Sequence, residues 1–430
     1  MNALTVNPRS ELHALEPIGL GTPAVESLLS YLCRLAVSHS VSLVALSRKV
    51  ASTMGWEISG RDDWSLANIS GMGEAANNWS AALSAMTGVE RLDNLTLLPW
   101  RDVVSQLGLT NRSLRWCPDC LSQDKADGRS PYFRLAWTVN EVTVCPEHKT
   151  ELVNVCPDCG RTEGRRKSAY VVPGWCSHCG GFLGADGERV VATPEELWKA
   201  NQVGAMLAIQ PTLAHAPEQD VLRSTIQHLI TRLDNGKSAY FAERIGLNRA
   251  TVHHWMKTGG CPGLPGHLRI TSQTGLSLPK VLTGDLSGWT PVSASVHQLA
   301  LLFPEHGTRS TPRTFDWDKV RAEMTAMAKL PTPISVAEVA RRLDINLHGL
   351  YRNANREARV LSERWKQYTK RRGAQSIEQA RSIVQAACLG MVADGQAVNL
   401  RSLKTRLTPE EFGKVQGAVY LLQEFRDELT

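Results

Sequence analysis

The chain has 430 residues, which gives room for two to four domains. Lys and Arg outnumber Asp and Glu by 48 to 42, and this mild excess permits nucleic-acid binding without requiring it. No apolar run approaches the length of a membrane span, so we expect a soluble, cytoplasmic protein without a membrane partner.

Residues 1–20 are predicted to form a loose arm and not a secretory leader. The stretch contains Pro8 and Pro17, has no apolar core, and carries charges at Arg9, Glu11 and Glu16. A chain without a leader keeps its cysteines reduced, which favours metal ligation over disulfides.

Helical periodicity begins after Pro23. One apolar stripe contains Val25, Leu28, Leu29, Leu32, Leu35 and Ala36. Ser40 or Ser42 is the predicted N-cap of a second short helix through Leu43 and Leu46. Two short helices with a tight bend fit either a helix-turn-helix or an αα-hairpin, and the pattern favours the hairpin.

Between Trp116 and Cys179 the sequence contains four short Cys/His knuckles. Each C-x-x-C or C-x-x-H turn offers two ligands, and two such turns complete a tetrahedral Zn²⁺ site. The first predicted site has three thiolates and one imidazole: Cys117, Cys120, Cys145 and His148. The second is all-thiolate, with the C-x2-C-x16-C-x2-C spacing of a zinc ribbon: Cys156, Cys159, Cys176 and Cys179.

Three other interpretations compete with two structural zinc ions. Disulfides would need a secreted chain, and a redox dithiol is typically one C-x-x-C motif beside a βαβ unit. A catalytic zinc needs an open coordination position, whereas eight ligands fill two sites here. His178 lies inside the last knuckle and could replace one thiolate.

A helix start at Thr193-Pro194-Glu195-Glu196 opens the next predicted domain. Within it, Ser238–Lys257 has Ala242, Gly246 and Val252 at the spacing of a helix-turn-helix. The core of this motif is predicted from Phe241, Ile245, Leu247 and Trp255. The outer face of its second helix has donors for phosphates or base edges, although Asn248 could serve as the cap instead: Asn248, Arg249, Thr251, His253, His254 and Lys257.

The last predicted domain contains a second helix-turn-helix. A helix begins near Ser335, and Ala340 and Leu350 occupy the equivalent core positions, while Asp344 stands where Gly is expected. A basic run follows from Arg352 to Arg372. Such a run is commonly only a solvated face, but after a helix-turn-helix we expect phosphate contacts, above all from Arg364, Arg371 and Arg372. One more helical pair is predicted from Asn399 and from Thr408.

The expected architecture is therefore mainly α and multi-domain, with helical helix-turn-helix domains flanking a tandem zinc-knuckle block. The predicted boundaries are 1–115, 116–190, 191–290 and 291–430. No P-loop, G-x-S-x-G elbow, H-E-x-x-H or dinucleotide fingerprint is present, so we expect no enzymatic activity.

Four stretches also carry a family pattern. They are G-L-G-T-P-A-V-E-S-L-L-S-Y-L-C-R-L-A (Gly19–Ala36), R-W-C-P-D-C (Arg115–Cys120), Y-F-R-L-A-W (Tyr132–Trp137) and V-C-P-E-H-K-T-E-L-V-N-V-C-P-D-C-G (Val144–Gly160). Together they resemble the TniQ/TnsD family of transposition proteins over roughly residues 18–180, while the downstream helix-turn-helix region is similar in kind only. Val25 departs from the small residue that the family often has before Glu-Ser.

The resemblance implies target-site selection for a bacterial transposon. Proteins of this kind bind duplex DNA, or a target-bound complex such as a CRISPR effector, and recruit an AAA+ ATPase that activates the transposase. The resemblance assigns the same eight residues to two zinc sites, and a homodimer is compatible with it. It leaves open whether the target is a chromosomal site, a plasmid feature or a guide-RNA complex.

Two other functions compete with target selection. A zinc-stabilised transcriptional regulator would read an operator through Ser238–Lys257. A zinc enzyme acting on nucleic acid would show turnover in a nuclease assay. Binding to the AAA+ ATPase would distinguish target selection from both.

Overall fold

A computed structural model of the chain describes residues 10–56, 68–111, 113–160, 171–177, 179–257, 259–291, 314–343, 345–415 and 417–429. The chain divides into two compact units. The larger consists of Met1–Pro157, Thr162–Ser177 and Phe182–His306, and the smaller of Asp158–Arg161, His178–Gly181 and Gly307–Thr430. The predicted four-part division is finer than these two units and stays a prediction.

The larger unit begins with α1 (Leu28–Ser38), α2 (Leu43–Thr53) and α3 (Glu74–Thr87). The side chains of Ser27 and Ser42 cap the first two helices by accepting from backbone N–H groups, as expected of Ser before an apolar stripe. The chain bends by 102° between α1 and α2. A near-perpendicular bend is that of a helix-turn-helix, so the favoured αα-hairpin was wrong.

The middle of the larger unit is short and irregular. It contains α4 (Pro118–Ala126) and an antiparallel ribbon of β1 (Val144–Cys145) and β2 (Thr150–Glu151). Single-turn 3-10 helices at Leu92–Leu95, Leu98–Trp100 and Leu135–Thr138 join these pieces. With so little regular structure here, the backbone depends on side-chain cross-links to hold its shape.

Six more helices of the larger unit are described: α5 (Pro194–Ala208), α6 (Gln219–Asp234), α7 (Ser238–Arg244), α8 (Arg249–Lys257), α9 (Leu264–Thr274) and α10 (Leu278–Thr283). The predicted start of α5 is confirmed, because Thr193 and Glu196 form a reciprocal capping box with Pro194 in the first turn. The predicted helix-turn-helix at Ser238–Lys257 corresponds to α7 and α8, which pack on each other and on α6.

The smaller unit is built along one long helix. Its helices are α11 (Trp317–Met327), α12 (Val336–Arg342), α13 (Leu347–Asn353), α14 (Asn355–Ala393), α15 (Leu400–Arg406), α16 (Pro409–Lys414) and α17 (Ala418–Leu429). The N-terminal part of α14 shares a core with α11, α12 and α13. Its C-terminal part shares a separate core with α15, α16 and α17.

The predicted helix starts in the smaller unit are confirmed. Ser335 caps α12, Asn399 caps α15, and Thr408 forms a capping box with Glu411 at α16. The core positions Ala340 and Leu350 are buried, while Asp344 lies outside the described residues. The mainly helical fold, with helix-turn-helix pairs on both sides of the Cys/His knuckles, is as predicted.

No single described helix is long and apolar enough to cross a membrane. The bent pair α1 and α2 meets that test only when its two helices are taken together, and most of its apolar residues lie in the core.

Two buried polar side chains tie distant parts of the larger unit together. The amide of Gln210 donates to the carbonyls of Asn94 and Thr96 at 3.1 and 3.0 Å. The ring Nε2 of His267, on α9, lies 2.8 Å from the carbonyl oxygen of Val103. Burial lowers the pKa of His267 to about 4, so the neutral ring is the folded form.

His267 makes stability depend on pH in a defined direction. Its pKa is near 6.5 in the unfolded chain and about 4 in the fold, so the unfolded state binds the proton first as pH falls. The free energy of unfolding should therefore fall as the pH is lowered from 6.5 to 4, by up to about 3 kcal/mol. In urea titrations at pH 7 and pH 5, His267→Gln should lose less stability than the wild type. Equal losses in both proteins would contradict this role of His267.

Candidate metal centres and helix-turn-helix surfaces

The first predicted set of zinc ligands converges in the structure. The sulfur of Cys120 lies 3.5 Å from that of Cys145, and the His148 ring Nδ1 lies 3.4, 3.5 and 3.6 Å from the sulfurs of Cys120, Cys145 and Cys117. Bonds of about 2.3 Å to sulfur and about 2.0 Å to nitrogen give tetrahedral edges of about 3.5–3.8 Å. The four donor atoms therefore have the spacing of a tetrahedral metal site.

Local structure explains why these four atoms meet. Cys117 immediately precedes α4, and Pro118 and Cys120 lie in its first turn. Cys145 ends β1, and a tight turn returns the chain so that the His148 N–H points at the Cys145 sulfur, 3.5 Å away. Trp116 exchanges backbone hydrogen bonds of 2.9 Å with Val153, which brings the two knuckles together.

The second predicted set, Cys156, Cys159, Cys176 and Cys179, converges as well. All four sulfurs lie within 4.8 Å of one another, and three of the four residues are buried. His178 lies outside the described residues, so its substitution for a thiolate stays a prediction.

The cysteines are thiols and not disulfides. All ten are free, and the 3.5 Å between the Cys120 and Cys145 sulfurs is far above the bond length of about 2.05 Å. Hydrogen bonds from the thiols of Cys117 and Cys120 lower the pKa of the Cys145 thiol to about 3. A buried thiolate beside further sulfurs and an imidazole is a donor set that suits Zn²⁺.

Both clusters could therefore bind metal ions, and their composition is consistent with zinc. The assignment of the eight residues as ligands of two structural ions stays a prediction. Such an ion would cross-link two knuckles and contribute to folding directly. The predicted role is structural because each cluster already supplies four protein donors.

The aromatic-Arg-aromatic run Tyr132–Trp137 has a structural explanation that the sequence did not reveal. The buried guanidinium of Arg134 donates to both carboxylate oxygens of Asp124, at 2.6 and 2.9 Å. It also lies 4.0 Å from the ring centroid of Tyr132 and 4.9 Å from that of Trp137. Burial alone would lower the pKa of Arg134, but its hydrogen bonds to Asp124, together with the nearby charges of Cys120, Tyr132 and Asp124, raise that pKa overall.

This arginine also joins the N-terminal motif to the first knuckle. Asp124 belongs to α4, the helix that carries Cys120. The backbone of Arg134 pairs with that of Glu26, just before α1. Glu26 is itself buried and pairs with Arg34 at 2.6 Å. The Glu-Ser start, the arginine run and the first Cys pair are therefore parts of one packed region.

The helix-turn-helix of α7 and α8 has the predicted core except at Leu247, which is only half-buried. Phe241, Ala242, Ile245, Val252 and Trp255 are all buried. The turn residue Gly246 has φ +65°, which is the left-handed conformation that the motif requires of its glycine.

The residues predicted on the outer face of α8 differ in their exposure to solvent. Arg249 is 71% exposed and lies 3.8 Å from Glu243. His253 and Lys257 are exposed, and Thr251 is half-buried. Arg249, His253 and Lys257 therefore present their side chains to solvent on one helix.

Two residues of this face have local structural partners. Asn248 accepts from the N–H of Ala250 at 2.9 Å, which is the capping role considered for it. The ring of His254 covers Gly260, since a Cβ on that glycine would fall 2.3 Å from the ring. Their assignment to DNA contact stays a prediction.

A buried arginine from α9 supports the turn between α7 and α8. Arg269 donates to the carbonyls of Ile245 and Gly246 at 3.3 and 3.4 Å. These carbonyls follow the last turn of α7 and need partners there. Sequence reasoning missed Arg269, because a lone arginine in an apolar helix gives no local pattern that identifies its acceptor.

The three arginines predicted to meet phosphates lie in different surroundings on α14. Arg364 donates to the backbone carbonyls of Ala328 and Leu330. Arg372 donates to the Tyr368 hydroxyl at 2.9 Å and to the carbonyl of Asp158 at 2.8 Å. Arg371 is exposed. Phosphate contact by these three stays a prediction, and only Arg371 has its side chain directed to solvent.

The fold and the clusters define a mainly helical, multi-domain protein with two four-ligand Cys/His centres. Residues 17–152 match the TniQ family model, so this part of the chain is a TniQ domain, as the resemblance predicted. TniQ domains are associated with target selection in transposition. No curated protein matches the chain. The matched region contains the first Cys/His cluster and the Arg134 network, and it ends before the second cluster.

We expect the purified protein to contain close to two zinc ions per chain. Cys145→Ser should remove one of them and lower the melting temperature, because the ion contributes folding free energy. Cys261→Ser is the matched control, since Cys261 belongs to neither cluster, and it should retain both ions. The measurement is plasma mass spectrometry after purification without chelators. One ion or none in the wild type would contradict the assignment.

Proposed function

We propose that this protein selects the target site for DNA transposition. In this role it binds target DNA, or a target-bound complex that can be RNA-guided, and recruits the AAA+ regulator of the transposase. The TniQ match over residues 17–152 carries the proposal. TniQ domains are associated with target selection, and the DNA and AAA+ partners are part of the proposal.

The proposed DNA-reading element is α8. Its apolar side, with Val252 and Trp255, is buried, which fixes the orientation of the opposite side. In a helix-turn-helix the N-terminal residues of the second helix contact base edges in the major groove. Arg249 is the first residue of α8 and is exposed, so it is the residue we propose for a base contact.

The contact of Arg249 with Glu243 does not oppose this role. Both side chains are 71% exposed, and their closest approach is 3.8 Å. An ion pair as exposed as this one contributes little to stability, so a guanine edge or a phosphate can displace the carboxylate at small cost.

A second candidate function is a zinc-stabilised transcriptional regulator. The observation that favours it is the same α7 and α8 pair, because operator-reading proteins use this motif in the same way. It differs from target selection in one respect that can be measured. A regulator needs no AAA+ partner and would occupy a promoter.

Arg249→Ala should lower the preference for the native target more than the affinity for random duplex. The loss of one bidentate arginine contact costs about 1–3 kcal/mol of discrimination. Arg232→Ala removes an exposed charge from α6 and should change neither quantity. Val252→Asp should unfold the motif and abolish both. The measurement is competition binding with footprinting, at fixed salt.

An unchanged footprint and target choice in Arg249→Ala would show that α7 and α8 form a scaffold. Target choice would then pass through a protein partner, as in the guide-RNA-linked systems that the resemblance allows.

Recruitment is tested with the AAA+ ATPase of the same transposon. The full-length protein should retain this ATPase in a pull-down, and more of it when target DNA is present. A protein that binds its DNA target but never retains the ATPase would support the regulator instead. Nuclease assays on the same preparation test the zinc-enzyme alternative.

A further inference from the structure

The net positive charge of the chain is confined to one segment. Residues 315–375 contain 13 Lys and Arg against 7 Asp and Glu, a net of +6. The rest of the chain has 35 of each sign. The segment contains the second helix-turn-helix, α12 and α13, and the first half of α14. Because duplex DNA attracts proteins mainly through phosphate charge, this is where sequence-independent affinity should reside.

Within α14 the seven basic residues before Arg381 separate into two groups. Arg364 and Arg372 donate to backbone carbonyls, as described above. Five others are exposed and lie within an arc of about 140° on the helix. We call them the basic stripe: Arg356, Arg359, Lys366, Lys370 and Arg371. The stripe extends about 22 Å along the helix, at 1.5 Å per residue.

The stripe differs in its pairing from five other arginines of the same unit. Arg321, Arg341, Arg342, Arg381 and Arg406 each form a salt bridge with an Asp or Glu. No ion pair of a stripe residue falls within the described part of the chain. The acidic neighbours on α14 reduce the net charge of the stripe without forming a described ion pair with it, since Glu363 accepts a hydrogen bond from Gln367 and Glu357 has no described ion pair.

The middle of α14 contributes to neither core. No residue from 362 to 379 is buried. The charges on the outer side of this segment therefore do not result from packing requirements. A solvent-facing helix on which basic residues outnumber acidic ones, directly after a helix-turn-helix, is the arrangement expected of a surface that follows a phosphate backbone.

We propose that the basic stripe is a second DNA-binding surface, which supplies affinity for duplex DNA of any sequence, while α8 supplies sequence preference. This inference rests on the proposed binding of target DNA. It assigns Arg356, Arg359, Lys366 and Lys370 to phosphate contact together with Arg371. It removes Arg364 and Arg372 from direct contact and gives them a structural role.

The test compares two triple variants of the full-length protein. Lys366→Gln, Lys370→Gln and Arg371→Gln remove three charges from the stripe. Arg401→Gln, Arg406→Gln and Arg426→Gln remove three exposed charges from the same unit outside α14. Binding to target duplex and to random duplex is measured between about 50 and 200 mM salt, the range in which phosphate contacts change affinity strongly.

The stripe variant should flatten the slope of log affinity against log salt by about 2 to 3, since each phosphate contact contributes about 0.9. The effect should be equal on both duplexes, so the discrimination ratio stays unchanged. The control triple should keep the wild-type slope. An unchanged slope in the stripe variant, or equal flattening by the control, would overturn the proposal.

Two further outcomes are informative. A loss confined to duplex RNA would assign the stripe to a guide or transcript and overturn the DNA assignment. Arg249→Ala separates this inference from the proposed function, because it should reduce discrimination and leave most of the salt slope. If the stripe variant keeps the wild-type salt slope while Arg249→Ala loses discrimination as expected, the stripe proposal is wrong and target reading by α8 stands. If the wild-type protein binds neither duplex, the stripe proposal and the proposed function are both wrong.

Discussion

The buried pair of Arg134 and Asp124 is the interaction on which the N-terminal half depends. The Arg134 guanidinium lies against the rings of Tyr132 and Trp137. Its acceptor, Asp124, lies on α4, the helix that carries Cys120 of the first knuckle. Removal of one partner from such a pair costs about 3–5 kcal/mol, because the other charge stays buried. The backbone beside Arg134 also pairs with the strand-like residues before α1. One ion pair therefore orients the N-terminal helices and half of a metal centre.

The features that could be predicted from the sequence are those with local causes. Knuckle spacing identified two ligand sets whose donor atoms do converge. Three N-caps could be predicted because a cap and its backbone partner lie within four residues of each other: Thr193, Ser335 and Thr408. The helix-turn-helix core of α7 and α8 could be predicted from the spacing of Ala242, Gly246 and Val252. In each case the interacting residues lie close together in the sequence.

The features that could not be predicted depend on long-range contacts. Arg269 acts on a turn about 23 residues away, and His267 bonds to a carbonyl 164 residues away. The bend between α1 and α2 could not be predicted, because an αα-hairpin and a helix-turn-helix share the same apolar stripe. The arginines of α14 were treated as equivalent because periodicity gives the face of a residue but not the acceptors that a long side chain can reach.

The helix α14 has a further consequence for how the smaller unit unfolds. Its two ends belong to separate cores, and its central turns, from 362 to 379, bury no side chain. Besides helical hydrogen bonds, these turns have only side-chain hydrogen bonds such as those of Arg364 and Arg372, so we expect the two cores to unfold as separate cooperative units that share one backbone. Amide hydrogens in the central turns can then exchange through local fraying, without the opening of either core. A pulling force applied to the C-terminal helices would unfold those turns before it unfolded α12 and α13.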